Sequence, residues 1–128
     1  MRIGKITLNE KEYLLCFSLY AVKECTERYG GMDNLFPAIN GKDDVKNMEE
    51  AVWLLSLMME CGKRYAAVEG LEATEPLSEA DIFAVADIMD FAKIKHSIVS
   101  TISAGGEREI QTEEKKGKKP KKEIGSKG

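Results

Sequence analysis

Apolar and polar residues alternate along the first part of the chain, "KITLNEKEYLLCF". Apolar residues occupy every second position on either side of a polar turn: Ile6, Leu8, Tyr13, Leu15 and Phe17. This is the period of a β-strand that buries one face. Asn9 tolerates a left-handed backbone, so we expect the turn between Asn9 and Lys11. The pattern predicts a β-hairpin over about residues 3–17, which must pack on another element because a lone hairpin is marginally stable.

Helical spacing replaces this alternation after the hairpin. It predicts three helices, over about residues 18–30, 45–69 and 78–104. Ser18 is a candidate N-cap for the first helix, and Gly30-Gly31 is a typical helix end. The hairpin and this helix follow one another without a linker, so we expect them to pack together.

The second and third predicted helices are the long elements. The second begins near Asp44 or Asn47, and Asn47 with Glu50 has the spacing of a capping box. The third begins at Ser78 and continues as one helix to Gly105-Gly106.

The segment "MDNLFPAINGKDD" between the first two helices is predicted to be a loop. Pro37 and Gly41 interrupt any regular pattern there. Leu35, Phe36 and Ile39 are its large apolar residues, and we expect all three to attach the loop to the core.

Composition changes at about Glu107. The 128 residues are 43% hydrophobic and 32% charged with a net charge of −3, but the segment from Glu107 onward holds eight Lys or Arg and five Glu. Apolar residues nearly vanish there, which predicts a disordered Lys/Glu-rich tail over 107–128 behind an acidic globular domain over 1–106. The predicted fold class is α+β, predominantly α, with an N-terminal hairpin followed by three helices.

The second helix contains the most apolar stretch, "MEEAVWLLSLMMECGKRY". Its uncharged run, Ala51 to Met59, lies between Glu50 and Glu60 and is far shorter than the roughly 20 residues that a bilayer core requires. On a helical wheel the apolar arc is wider than the single stripe of a surface helix. This helix is therefore either buried on most sides or in contact with another protein.

Trp53 and Leu57 lie apart from the main apolar faces of that wheel, and two interpretations are open. In one, Trp53 covers the core, as aromatic residues ordinarily do. In the other, it anchors a partner, with Leu57, Met58 and Arg64 beside it, since Trp and Arg are enriched at binding hot spots and Met adapts to many surfaces. The exposure of Trp53 distinguishes the two.

No motif in the sequence indicates catalysis or a bound cofactor. His96 is the only histidine and has no Cys at zinc-ligand spacing, so no metal site is predicted. The chain has no GxSxG-type elbow, and "INGKDD" lacks the alternating oxygen ligands of a calcium loop. Three cysteines without a CxxC pair suit a reducing cytoplasm, and the N-terminus lacks the apolar core of a signal peptide. We expect a cytoplasmic protein that is not an enzyme.

The tail contains a dense run of lysines. Six lie within eight residues: Lys115, Lys116, Lys118, Lys119, Lys121 and Lys122. Such density favours phosphate backbones, but no aromatic residue is interleaved to stack on bases, so a solvated extension is the competing interpretation. The net negative charge of the whole chain gives no general reason to expect nucleic acid or a membrane surface as the partner.

The order of these parts resembles the tail assembly chaperones of long-tailed phages and prophages. The segment "ITLNEKEYLLCFSLYAVKECTERYGG" is followed by the Trp-bearing helix "AVWLLSLMMECGKRY", a third helix and a charged tail. Leu14 stands where relatives often have Pro, and Cys25 where a larger aliphatic residue is usual. The resemblance covers roughly residues 3–70, and the residues that carry it are Ile6, Leu8, Lys11, Glu12, Tyr13, Phe17, Ser18, Leu19, Ala21, Glu27, Tyr29, Gly30, Trp53, Leu54, Leu57, Gly62 and Tyr65.

The resemblance implies a non-enzymatic chaperone in the bacterial host cytoplasm. Such a protein binds the tape measure protein, keeps it soluble and helps to recruit tail tube subunits around it. Two other functions stay open: a small nucleic-acid-binding or regulatory protein that acts through the lysine-rich tail, and a structural tail or connector component. The wide apolar arc of the second helix equally suits self-association.

Overall fold

The computed structural model describes the backbone of residues 2–117 and the side chains of residues 2–104. The chain is predominantly α-helical with an N-terminal β-hairpin, as the sequence predicted. The strands are β1 (Ile3–Leu8) and β2 (Lys11–Cys16), and a single 3-10 turn covers Met32–Asn34. The helices are α1 (Leu19–Tyr29), α2 (Leu35–Ile39), α3 (Asp44–Glu69), α4 (Glu79–Val85) and α5 (Ile88–Gly117).

The hairpin forms where the alternating pattern predicted it. The strands pair antiparallel with Leu8 opposite Lys11, so the loop is only Asn9 and Glu10, with φ values of 51° and 68°. Two consecutive positive φ angles in a two-residue loop are those of a type I′ turn, whose twist matches that of paired strands. All five alternating apolar residues are buried: Ile6, Leu8, Tyr13, Leu15 and Phe17.

Helices α3 and α5 cover the hairpin, α3 mainly over β2 and α5 mainly over β1. The expectation that the hairpin packs on the first helix is wrong, because α1 packs mainly on the 3-10 turn, α3 and α2. Glycine permits the close approach at both strands. A Cβ on Gly62 of α3 would overlap the backbone carbonyl of Leu14, and a Cβ on Gly4 would overlap the side chain of Thr101 on α5. The core therefore lies between one face of the hairpin and these two helices.

The connector from α3 to α4 runs back along α3. Ser56 donates a hydrogen bond of 2.7 Å from its hydroxyl to the carbonyl of Leu77, and Lys63 forms an ion pair with Glu75. Thr74 donates to the carbonyl of Glu12, which attaches the same connector to the hairpin. These contacts bring α4 back beside the N-terminal half of α3.

The predicted third helix is two helices. It begins at Ser78 as expected, with the Ser78 hydroxyl accepting from the amide of Asp81, but α4 ends at Val85 and α5 begins at Ile88. The prediction of one helix over 78–104 is therefore wrong at this point. The backbone of α5 continues past Gly105-Gly106 to Gly117, so the tail predicted to be disordered over 107–128 begins inside a helix, and its remainder from residue 118 lies outside the described residues.

Two local predictions between α1 and α3 are also corrected. The expected loop contains the 3-10 turn and α2, and although Leu35 and Ile39 are buried, Phe36 is 39% exposed. The N-cap of α3 is Asp43, whose carboxylate accepts from the amide of Lys46. Asn47 instead exchanges two hydrogen bonds with the backbone of Gly41, so it does not form the predicted capping box.

None of the described helices combines the length and the apolarity that crossing a bilayer requires. The apolar run of α3 belongs to the core, since six of its nine residues from Ala51 to Met59 are buried.

Replacing Gly62 with Ala should destabilise the fold. The new methyl would meet the backbone of β2, which no rotamer change can relieve, and overpacking of this kind costs about 3 kcal/mol. The better helix propensity of Ala returns about 1 kcal/mol, so we expect a net loss of about 2 kcal/mol in the free energy of unfolding, measured in urea.

Gly41→Ala is the matched control. A Cβ there would lie 3.5 Å from Oδ1 of Asn47, an ordinary contact, so its stability should stay within about 0.5 kcal/mol of the wild type. Equal stabilities of the two variants would contradict the close packing of α3 on β2.

Candidate functional site

Trp53 is half-buried and is covered by α1. The guanidinium carbon of Arg28 lies 4.2 Å from the centroid of the Trp53 ring, and Tyr29 meets the same ring edge-on at 5.9 Å between centroids. Both contacts are favourable, the first as a cation–π pair and the second as a T-shaped aromatic pair. The chain thus supplies its own partners for Trp53.

Beside Trp53, a buried carboxylate holds α1 against α3. Glu50 accepts from Arg28 at 2.8 and 3.1 Å, from the hydroxyl of Tyr29 at 2.8 Å, and pairs with Lys46 at 3.1 Å. Each carboxylate oxygen has two of these partners, which fills the acceptor capacity of the group. Glu50 has no acceptor left for a substrate, so its role is structural.

The same contacts shift the pKa values of Glu50 and Tyr29. Hydrogen bonds from Arg28 lower the pKa of Glu50 to about 2, with those from Tyr29 and Lys46 adding to the effect against the opposing effect of burial. The pKa of the Tyr29 hydroxyl is raised, first by burial and then by its bond to Glu50. An open cleft of about 590 Å³ lies next to this cluster, between α1, α2 and the start of α3.

The other residues predicted to bind a partner with Trp53 differ in exposure. Leu57 and Arg64 follow Trp53 by four and eleven positions, so they share its face of α3. Leu57 is half-buried and packs on the core, and Arg64 is exposed. Met58 is completely buried, so its assignment as a contact residue is wrong. The wheel could not show this, because it gives the direction of a side chain but not which neighbouring element covers it.

A second surface lies where α4 meets α5, and the structure places there a groove that we call the α4–α5 groove. Its volume is about 170 Å³ and its walls are almost entirely apolar. It is lined by Met48 and Val52 of α3, Ile82 and Phe83 of α4, Ala86 and Asp87 at the break, and Ile88, Phe91 and Ile94 of α5.

Large apolar side chains stand exposed around the α4–α5 groove. Phe83 and Ile88, which line the groove, are 50% and 74% exposed. Met89, Val45 and Val85 do not line the groove, but they are also exposed and lie within three residues of groove residues in the sequence. Isolated exposed apolar residues are common on proteins, but several gathered at a concave site are typical of a binding surface. Such a site is the best candidate for partner binding in the described part of the chain.

A capping interaction creates this groove by starting a new helix. The carboxylate of Asp87 accepts from the amide of Met89 at 2.9 Å, and that of Asp90 accepts from the amide of Asp87 at 3.0 Å. This reciprocal arrangement is a capping box, and the bond from the Asp87 amide also lowers the pKa of Asp90. The spacing of Asp87 and Asp90 in "ADIMD" is the signal in the sequence that could have located the break.

Other chemistry-bearing side chains show no assembled site. Cys16, Cys25 and Cys61 are buried, and burial raises the pKa of Cys25 to about 11. His96 is exposed on α5. Within the part of the chain that the structure describes, no group of three or more His, Cys, Asp or Glu side chains could hold a metal ion.

The predicted basic site in the tail is not defined by the structure. Lys115 and Lys116 fall on the α5 backbone without described side chains. Lys118, Lys119, Lys121 and Lys122 lie outside the described residues, so nucleic-acid binding through this segment stays a prediction.

Comparisons with models of protein families, with curated proteins and with solved structures found no match to this chain. Function must therefore be argued from the geometry and from the sequence itself.

The stability of the protein should fall between about pH 4.5 and pH 2 through Glu50. A carboxylate whose pKa is lowered by folding stabilises the native state above its ordinary pKa, and this contribution disappears as the pH falls through the native value. Glu50→Gln should lower the free energy of unfolding by about 2 kcal/mol at pH 7, after allowance for solvent screening of the part-exposed Arg28 and Lys46. Urea unfolding at several pH values measures both effects.

The difference between wild type and Glu50→Gln should shrink toward zero near pH 2. Glu49→Gln is the control, because Glu49 is the exposed neighbour on the same helix and forms no ion pair among residues 2–104. A pH-independent deficit in Glu50→Gln would show that the loss comes from packing and not from the charge.

Proposed function

We propose that this protein is a phage tail assembly chaperone that binds and solubilises the tape measure protein and assists tail tube assembly in the bacterial host cytoplasm. The resemblance of residues 3–70 to that family suggests the role. The observation that supports protein binding is the α4–α5 groove, a concave apolar site whose lining residues Phe83 and Ile88 are exposed.

A chaperone of this kind needs an apolar binding site on a domain that stays dissolved. A long tape measure chain that is not yet enclosed by the tube exposes apolar helical faces to water. A carrier must offer apolar contacts to those faces and still stay dissolved, and a groove on an acidic domain does both. The contact surface in this proposal is the α4–α5 groove, because Trp53 already has partners on α1 and Met58 is buried.

Co-expression with the tape measure protein tests the proposal. The wild-type protein should bring the tape measure protein into the soluble fraction and elute with it as a complex. Phe83→Ala should weaken the complex about fivefold to tenfold, since truncating an aromatic anchor typically costs more than 1 kcal/mol.

Phe36→Ala is the matched control. Phe36 is also an exposed phenylalanine on a short helix, but it does not line the groove. Its complex should be as stable as that of the wild type. A tape measure protein that stays insoluble and unbound with the wild-type protein would overturn the proposed function.

A further inference from the structure

The size of the α4–α5 groove limits what it can hold. A cavity of about 150 Å³ lined by aliphatic and aromatic side chains accommodates a benzene molecule. The α4–α5 groove has a similar volume of about 170 Å³ and similar walls, including Ile82, Phe91 and Ile94. It therefore has room for one large apolar side chain, such as Phe or Leu, and not for a continuous apolar strip.

The walls of the groove also select the conformation of the partner. They are side chains of α3, α4 and α5 and of Ala86 and Asp87 at the break. The backbone donors and acceptors of the helices are largely used within the helices, and the amides of Ala86 and Asp87 donate to Ile82 and Asp90. An extended peptide would find no strand edge there for its own backbone groups. A helix satisfies its backbone internally and can present a single anchor side chain, so a helix is the better fit.

The charge beside the groove is negative. From Glu79 to Ala92 the sequence has four acidic residues and no Lys or Arg. Asp87 itself lines the groove and has no ion pair among the residues whose side chains are described. Along α5, Lys93 pairs with Asp90 at 3.5 Å, whereas Lys95 donates to the neutral amide oxygen of Asn40 at 2.9 Å, and its Nζ lies 5.1 Å from the centroid of the Phe91 ring. Lys95 therefore places one positive charge beside a wall of the groove, against the four acidic residues of the segment.

We infer that the α4–α5 groove binds one amphipathic helix of the partner, inserting a single Phe or Leu anchor while Lys or Arg residues on the adjacent turns lie beside Asp87. The inference rests on the proposed function, because it names the segment of the client that the same groove takes. Burial of the apolar anchor provides most of the binding free energy. The negative charge of Asp87 and the other acidic residues between Glu79 and Ala92 favours basic over acidic helices and speeds association.

Synthetic helical peptides test this chemistry without the tape measure protein. The probe is a labelled amphipathic peptide with one Phe anchor flanked by lysines, and its binding to the full chain is followed by fluorescence anisotropy. Replacing the anchor with Ala should weaken binding about tenfold. Replacing the flanking lysines with Glu should weaken it several-fold at low salt, with the gap closing as salt is added. Equal binding of the Lys and Glu peptides would overturn the inference.

Two pairs of variants locate the binding at the groove. Ile88→Gln should reduce affinity for the Phe–Lys peptide about fivefold, whereas Leu19→Gln, an equally exposed residue that also begins a helix, should not. Asp87→Asn should reduce it about threefold at low salt only, because Asn keeps the helix cap and removes the charge. Asp33→Asn, in the exposed 3-10 turn, is its control.

The outcomes separate this inference from the proposed function. If the tape measure protein is solubilised but the peptides show no preference for an anchor or for lysine, the inference is wrong and the chaperone proposal stands. If the peptides behave as expected but the tape measure protein is not solubilised, the groove binds basic amphipathic helices, and the proposed chaperone function is wrong. A dimer in sedimentation that Ile88→Gln converts to a monomer would instead make the groove a contact between two copies, and would overturn the inference.

Discussion

The close contact between α3 and the hairpin at Gly62 determines where the other elements lie. Two strands cannot bury an apolar face by themselves, so the hairpin depends on the helices that cover it. With no side chain at position 62, the helix backbone approaches the carbonyl of Leu14 closely. The same device, with Gly4 on the strand and Thr101 on the helix, places α5 over β1. Both long helices are thereby held on the hairpin, one over each strand.

Glu50 fixes the other half of α3. It lies twelve positions before Gly62, about 18 Å along the helix, and there α1 replaces the hairpin as the neighbour. A buried charge is unfavourable unless it is paired, and Glu50 reaches full pairing only when Arg28, Tyr29 and Lys46 converge on it. The stack of Arg28 on Trp53 extends that convergence to the aromatic ring. The residues around this tryptophan therefore attach α1 to α3, which explains why Trp53 is neither fully exposed nor fully buried.

The hairpin and the long helix were predictable from the sequence because their signals are local. Alternation around Asn9 and helical spacing from Asp44 to Glu69 each indicate a periodic apolar face, and the structure has the hairpin and α3 at these positions. The contacts between elements were not predictable in this way. Glu50 was assigned to a capping box from its spacing, yet its partners include Arg28, which is distant in sequence and comes close only after folding. The prediction that Met58 contacts a partner was wrong for the same reason, since a periodic pattern does not identify which faces are covered by other elements.

The shape of the α4–α5 groove depends on two aspartates, Asp87 and Asp90, which cap the start of α5. The stretch "ADIFAVADIMDF" has more large apolar residues than one face of a single helix can bury against α3. By capping a new helix at Asp87, the chain buries Ile82 and Ile94 and leaves Phe83, Ile88 and Met89 facing outward. Ile88 and Met89 are among the most exposed of the large apolar residues, so the core gains little from their apolar character. The proposed contact with another chain would account for it.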